Sequence, residues 1–191
     1  FMCFARITDL NEEVIQWLNK ANFVKLNIGV ENWSQNVLDE MGKRCDVKEI
    51  DPILKLLKKY NVRPFMNVIM TTPKSKLEDV ELTIDKIMEY RKDPFYMSGQ
   101  AIGIMPLKGT AFYEEHSDFK SYITDIKGTD YKIRRNELIW AEDPLVRELQ
   151  KRFLIGQTPL FEKFTKENDV RHPSQENLSL MYYKFVKKII K

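Results

Sequence analysis

Short apolar runs alternate with amphipathic stretches from Phe1 to about Phe112, and no other feature of this 191-residue chain constrains its fold as strongly. Alternating strands and helices are typical of βα units, in which consecutive strands lie parallel and each helix crosses back over the sheet. The apolar runs predict strands at Phe1–Ile7, Phe23–Val30, Phe65–Met70 and Tyr96–Met105. The sequence therefore predicts an α/β fold with about four parallel strands, curved as part of a barrel or wound as an open sheet.

Helix signals fall between these runs. A capping box beginning at Thr8-Asp9 predicts the start of the first helix, and the apolar spacing that follows puts Trp17 on its buried face. Gly42 predicts the end of a short second helix. A second capping box beginning at Ser75 predicts the start of the helix before the fourth strand.

The rest of the chain, residues 117–191, has a different pattern. Asp143-Pro144 and Thr158-Pro159 are each typical of an N-cap followed by proline at the first helical position, and Ser174 can cap a last helix. We therefore expect two regions, a sheet region over residues 1–116 and an α-helical C-terminal extension over residues 117–191 that packs on the sheet.

The composition excludes several classes of protein. Hydrophobic residues make up 43% and charged residues 31%, and the net charge of +3 is well mixed, so neither disorder nor nucleic-acid binding is indicated. No apolar run is long enough to cross a bilayer and no secretory segment opens the chain, so we expect a soluble, cytoplasmic protein. The two cysteines, Cys3 and Cys45, can neither form a disulfide framework nor by themselves hold a metal cluster.

Four polar residues near the predicted strand ends are candidates for function, because ligands of parallel sheets bind at the carboxyl ends of the strands. Arg6 is either a ligand contact or a surface arginine in a strand-to-helix turn. Glu31 either binds hydroxyls or an ammonium group of a ligand, or caps the next helix. Lys43 pairs with a ligand carboxylate or with a helix C-terminus. Asn67 interrupts an apolar strand, and a buried amide needs partners, which favours function slightly.

An ordered set of motifs resembles the radical S-adenosylmethionine (radical SAM) superfamily. A strand ending Gly29-Val30-Glu31 is followed by Met41-Gly42-Lys43, which resembles the family's Gly-Val-Glu strand and the Met-x-Lys segment after it. The strand with Asn67 runs into Thr71-Thr72-Pro73, where the family has Gly-x-Pro. The segment 106–113 resembles the family's Pro-x-x-Gly-Thr-x-Tyr. The resemblance covers about the first 115 residues.

The resemblance implies the second half of a partial (β/α)6 TIM-like barrel that binds SAM. Glu31 and Asn67 match the family's polar contacts to the SAM ribose or amino group, and Lys43 matches the basic contact to its carboxylate. The backbone near Ile104 and Met105 would flank the adenine. The full set of residues implied to bind SAM is Glu31, Lys43, Asn67, Ile104, Met105 and Arg6.

The family's Cys-x-x-x-Cys-x-x-Cys loop, which binds a 4Fe–4S cluster, is absent from the chain. We expect it upstream of Phe1 in a longer parent, whose N-terminal remainder would be a partner of this chain. The resemblance implies that the parent reductively cleaves SAM to a 5′-deoxyadenosyl radical, which takes hydrogen from a substrate that the sequence does not identify. It also allows a cobalamin-binding domain upstream. Asn32 and Trp33 replace the small residues that commonly follow the family's glutamate.

Two other interpretations stay open on the residues alone. The chain could be part of an iron-free parallel α/β enzyme whose Glu31 and Asn67 contact another small molecule. It could also be a non-catalytic interaction domain whose helical tail docks a partner. For the radical SAM fragment we expect no activity in isolation, and self-association through its unpaired sheet edge or coverage of that edge by the tail.

Overall fold

The computed structural model describes residues 1–116, 121–125, 130, 132–136 and 138–151. Four parallel strands form one sheet in chain order: β1 Met2–Arg6, β2 Lys25–Glu31, β3 Arg63–Ile69 and β4 Met97–Ala101. The helices are α1 Glu12–Lys20, α2 Gln35–Glu40, α3 Ile50–Lys59, α4 Leu77–Tyr90 and α5 Ala111–Glu115, with 3-10 turns at Ile7–Asp9 and Val47–Glu49. The predicted α/β fold with four parallel strands is confirmed.

The connecting helices pack on one face of the sheet, as expected when successive right-handed crossovers advance in the same direction. On that face, residues of the inner strands such as Leu26, Ile28 and Met66 are fully buried with the apolar residues of the helices. The opposite face, which we call the open face, carries the in-register row Phe4, Asn27, Phe65 and Met97. Phe4 is 80% exposed there.

Helix α1 starts later than predicted, and its buried face differs from the predicted one. Its N-cap is Asn11, whose side chain accepts a hydrogen bond from the amide of Val14 at 2.9 Å. The predicted cap, Thr8-Asp9, lies instead in a 3-10 turn. Ile15 is consequently the buried residue of α1, whereas Trp17 is 61% exposed.

The predicted cap at Ser75 is also wrong, by one residue. The N-cap of α4 is Lys76, and the carboxylate of Asp79 accepts a hydrogen bond from the Lys76 amide at 2.8 Å. The Ser75 hydroxyl instead accepts from the amide of Thr72 at 2.8 Å. The predicted stop at Gly42 is confirmed: α2 ends at Glu40 and Gly42 has a φ of 66°.

The C-terminal region is not wholly helical. Strands β5, Ser121–Asp125, and β6, Lys132–Asn136, pair antiparallel, so the helical prediction is wrong there. The β-branched and aromatic residues of Ser-Tyr-Ile-Thr-Asp favour a strand, and that signal was not used. A helix does begin at residue 144, where the Asp143 carboxylate accepts from the Leu145 amide at 2.9 Å. Thr158-Pro159 and Ser174 lie outside the described residues.

The segment 138–151, which we call the C-terminal strap, packs across the ends of β3 and β4. Gln150 is fully buried, donates to the Thr71 hydroxyl at 2.7 Å and accepts from the Ala141 amide at 2.9 Å. The Ile139 amide donates to the carbonyl of Ile104 at 2.9 Å. This part of the chain therefore packs on the sheet as expected, while the boundary between residues 116 and 117 stays a prediction.

Strand β1 lies at one edge of the described sheet, with Phe4 and Met2 exposed on the open face. Self-association through this edge stays a prediction. Among the described residues, no helix combines the length and the apolar character that crossing a bilayer requires.

Candidate functional site

The ends of β1 and β2 border a cavity of about 400 Å³, a volume within the range of small-molecule sites. It lies at the carboxyl edge of the sheet, where parallel α/β folds bind their ligands. Its lining includes Arg6, Thr8, Gly29, Glu31, Gly42, Lys43, Arg44 and Cys45.

Glu31 ends β2 in a backbone conformation that is rare for a residue with a side chain. Its φ is 63°, and the Asn32 amide donates to the carbonyl of Val30 at 2.8 Å, so Glu31 is the centre of a three-residue turn. A γ-turn with positive φ is rare and strained. The pairing with β3 shifts register between Gly29 and Glu31, which makes this turn a β-bulge at the strand end.

Gly29 leaves the space that the Glu31 carboxylate occupies. A Cβ atom at residue 29 would lie 2.6 Å from Oε1 of Glu31, closer than such atoms approach one another. The carboxylate thus folds back over β2 on the open face, and the Glu31 side chain is only 15% exposed.

Lys43 reaches this carboxylate because α2 ends in a tight reversal. The Lys43 amide donates to the carbonyl of Leu38 at 2.9 Å across Gly42, whose positive φ suits the left-handed position of a Schellman motif. The reversal brings Nζ of Lys43 to 2.7 Å from Oε1 of Glu31. The cavity lining therefore contains an ion pair, with its carboxylate at the end of β2 and its ammonium group just after α2.

Arg6 lines the cavity but is also held in a local contact. Its guanidinium binds both carboxylate oxygens of Asp9, at 2.8 and 3.0 Å, and its side chain is 75% exposed. These hydrogen bonds raise the pKa of Arg6 and lower the pKa of Asp9. Arg6 is therefore paired within the strand-to-helix turn, as the surface interpretation expects, and it also borders the cavity, while its contact with a ligand stays a prediction.

Asn67 lies beside the cavity residues and not in the cavity lining. It pairs in register with Gly29 on one side and with Gly99 on the other, so two residues without side chains flank it on the open face. Its amide nitrogen lies 3.5 Å from the carbonyl of Ile28, a long hydrogen bond. The half-buried Asn67 amide therefore has hydrogen-bonding capacity directed to the same face as Glu31.

Ile104 and Met105 are not brought to the cavity. They follow β4, and the carbonyl of Ile104 is bonded to the strap through Ile139. Met105 is 60% exposed. Their predicted contact with adenine stays a prediction.

Among the lining residues, the sequence reasoning gave no site role to Gly29, Arg44 or Cys45. Gly29 was noted only as part of a motif, although its lack of a side chain is what admits the carboxylate. Arg44 and Cys45 follow Lys43 directly, so any signal that placed Lys43 in a site would have included them. The run of two cations after a helix-ending glycine is that signal.

The surroundings of Cys45 disfavour its thiolate form. Burial raises the pKa of its thiol, and the negative charges of Glu49 and Asp46 raise it further. Its sulfur lies 3.9 Å from Oε2 of Glu49. Over the described residues, no cluster of three His, Cys, Asp or Glu could hold a metal ion.

Residues 3–87 match the sequence model of the Radical SAM superfamily. Over these residues the chain is similar to the members of that superfamily. The match contains β1 to β3, the cavity lining and Asn67, so the residues named from the radical SAM resemblance lie inside it, except Ile104 and Met105. A search of curated proteins gave no significant match.

The fold is similar to that of one solved radical SAM enzyme, described as the cobalamin-dependent S-adenosylmethionine radical enzyme OxsB with aqua-cobalamin bound. The TM-score is 0.60 at 14% sequence identity, and the alignment covers 98% of this chain and 33% of that one. The chain thus spans about a third of that structure's length. At this identity the likeness shows the fold alone, a four-stranded parallel α/β sheet similar to a fragment of a radical SAM barrel.

The strained turn predicts an unusual order of stability between two variants. The free energy of unfolding of Glu31→Gly should be about 1 kcal/mol higher than that of Glu31→Ala, because glycine adopts positive φ without the steric cost of a Cβ atom. Both variants lose the ion pair with Lys43, so its contribution cancels. Urea unfolding followed by circular dichroism measures the difference. The matched control uses Asn36, which is exposed within α2. There Asn36→Gly should be less stable than Asn36→Ala, because glycine disfavours a helix.

The environment of Cys45 predicts the pH dependence of its alkylation. In a Cys3→Ala background, iodoacetamide should label Cys45 with a midpoint pH above that of a free cysteine, because only the thiolate reacts and the thiol's pKa is raised. Glu49→Gln should lower the midpoint by removing the nearby charge, whereas Glu13→Gln on α1 should not. An unchanged midpoint in Glu49→Gln would contradict this electrostatic explanation.

Proposed function

We propose that this chain supplies part of the SAM site of a radical SAM enzyme, with the amino-acid end of SAM bound by Glu31 and Lys43. The observation that carries this proposal is the ion pair between these two side chains at the wall of the cavity, within the segment that matches the superfamily's sequence model. Ligand binding would exchange partners within this pair.

The charges of the pair suit the amino-acid end of SAM. SAM carries an ammonium and a carboxylate group on one carbon, so its ammonium can replace Nζ of Lys43 at Glu31 while its carboxylate accepts from Lys43. Each charged group then keeps a partner of opposite sign, which avoids leaving a half-buried charge unpaired. The exchange needs movement of Lys43 alone, whose side chain is 38% exposed.

The remaining contacts are assigned from their positions. Asn67, flanked by glycines on the open face, has an amide available for the ribose hydroxyls. Arg6 borders the same cavity and supports its positive side. Ile104 and Met105 would supply backbone contacts to the adenine, which requires the ligand to extend from β2 across β3 toward β4.

The residues of this chain do not fit the iron–sulfur cluster. Two cysteines cannot provide three thiolates, and Cys45 is surrounded by carboxylates that disfavour its thiolate. We therefore assign the chain no cluster ligand. Reductive cleavage of SAM to a 5′-deoxyadenosyl radical would belong to the intact enzyme, while this chain binds and orients SAM.

No described residue supports a contact with cobalamin, so the cobalamin in the solved relative is not carried over to this chain. The substrate would be a small molecule or another group held at the carboxyl edge of the sheet. The cytoplasmic location stays a prediction.

The proposal predicts that the 191-residue chain binds SAM more tightly than 5′-methylthioadenosine, which has the nucleoside and thioether but lacks the amino-acid end. Glu31→Gln and Lys43→Met should each weaken SAM binding about tenfold, as loss of a charged hydrogen bond implies, with little effect on methylthioadenosine. Isothermal titration calorimetry with both ligands measures the affinities.

The matched controls remove equivalent charges outside the cavity. Glu13→Gln on α1 and Lys48→Met in the 3-10 turn before α3 should leave both affinities unchanged. Equal affinity of the wild-type chain for the two ligands would overturn the assignment of Glu31 and Lys43, as would the absence of saturable SAM binding.

We expect no SAM cleavage by the chain alone. After anaerobic incubation with iron, sulfide and dithionite, chromatography should detect no 5′-deoxyadenosine above a protein-free control, because no three thiolates are available for a cluster. SAM-dependent production of 5′-deoxyadenosine would contradict the division of roles given above.

A further inference from the structure

Asn32 follows the strained turn at Glu31 and has no exposed surface. Its amide nitrogen donates to the carbonyl of Ile69 at the end of β3, at 2.9 Å. Its amide oxygen accepts from the Thr83 hydroxyl of α4 at 2.7 Å and from the Ser34 amide at 2.8 Å. This one side chain therefore connects the ends of two strands to a helix.

The two residues after Asn32 are fixed in the same way. The Trp33 amide donates to the Thr83 hydroxyl at 3.3 Å, and the indole nitrogen of Trp33 donates to Asp51 of α3 at 3.2 Å. The Ser34 hydroxyl donates to the Asp79 carboxylate of α4 at 2.5 Å. The chain leaving Glu31 is thus held at three successive residues by buried or half-buried polar groups.

A strained backbone persists only where surrounding contacts determine it. The turn at Glu31 makes one hydrogen bond of its own, between the Asn32 amide and the Val30 carbonyl. The side-chain contacts of Asn32 fix the residue on the exit side of that turn, and the β2–β3 ladder fixes the entry side. If Asn32 were released, the turn could relax to negative φ, and the Glu31 carboxylate would leave its position over Gly29.

We propose that Asn32 is a positioning residue: held by Thr83 and by the Ile69 carbonyl, it fixes the turn that places the Glu31 carboxylate for the ammonium group of the ligand. This inference rests on the proposed function, because it takes that ammonium group to be the one on SAM. Thr83, on α4, holds the Asn32 amide oxygen through its hydroxyl and does not line the cavity.

The test measures discrimination between SAM and 5′-methylthioadenosine by calorimetry on the 191-residue chain. Thr83→Val keeps the shape of the side chain and removes its hydroxyl, so it should lower the preference for SAM about tenfold by weakening SAM binding. Binding of methylthioadenosine, which has no ammonium group, should not change. Thr83→Ala provides a second variant without the hydroxyl, and Thr83→Ser should restore the preference.

A purely structural effect is distinguished by Thr71→Val. Thr71 is also fully buried and bonded, to the Ile102 carbonyl and to Gln150, away from Glu31. This variant should lose stability but keep the wild-type ratio of the two affinities. A ratio that falls equally in Thr71→Val and Thr83→Val would overturn the positioning role.

The outcomes also separate this inference from the proposed function. If the wild-type chain prefers SAM and Glu31→Gln removes the preference, the proposed function stands. Retention of the preference in Thr83→Val and Thr83→Ala would then overturn the role of Asn32 alone. If the wild-type chain shows no preference, the proposed function fails, and the positioning role fails with it.

Discussion

A buried side-chain amide must keep all its hydrogen-bonding partners, and this constraint at Asn32 governs the geometry of the cavity. Its two ends bind groups on β3 and α4, so neither element can move without leaving a polar atom unpaired in the interior. The strained turn at Glu31 sits immediately before this fixed point. The position of the carboxylate is therefore set by the core of the protein, not by the surface where the ligand would bind.

The sheet could be predicted because parallel strands in a βα fold are buried and appear as short apolar runs. The first residues of the helices were harder to predict, because several neighbouring residues are of types that can serve as an N-cap. Thr8-Asp9 has the residue types of an N-cap, but Asp9 is engaged by Arg6, and Asn11 caps α1 two residues later. Trp17, on the face predicted to be buried, is 61% exposed. Ser75 likewise does not serve as the N-cap of α4, because its hydroxyl accepts a hydrogen bond from the Thr72 amide in the loop before the helix.

The location of the candidate site followed from a general rule about strand ends, whereas its chemistry did not. Arg6, Glu31 and Lys43 were placed together because all lie near the carboxyl edge of the sheet. Their pairing depends on the reversal at Gly42, which the glycine itself indicates, and on a positive φ at Glu31, which no residue pattern encodes directly. Glutamate is an unusual residue at positive φ, so sequence reasoning assigns it an ordinary strand conformation. The sequence shows that Asn32 departs from the family pattern, but not that its side chain binds the Ile69 carbonyl and the Thr83 hydroxyl.

The strap bears on how the chain assembles during synthesis. Gln150 binds Thr71 at a sequence separation of 79 residues, the longest-range side-chain contact described for the sheet end. All four strands and their helices lie before residue 117, so they can pair while the strap is still inside the ribosome. Until Gln150 emerges, however, the Thr71 hydroxyl and the loops after β3 and β4 lack their cover. The nascent sheet would pass through a stage in which this edge is hydrated, and its final closure would follow the emergence of the strap from the ribosome.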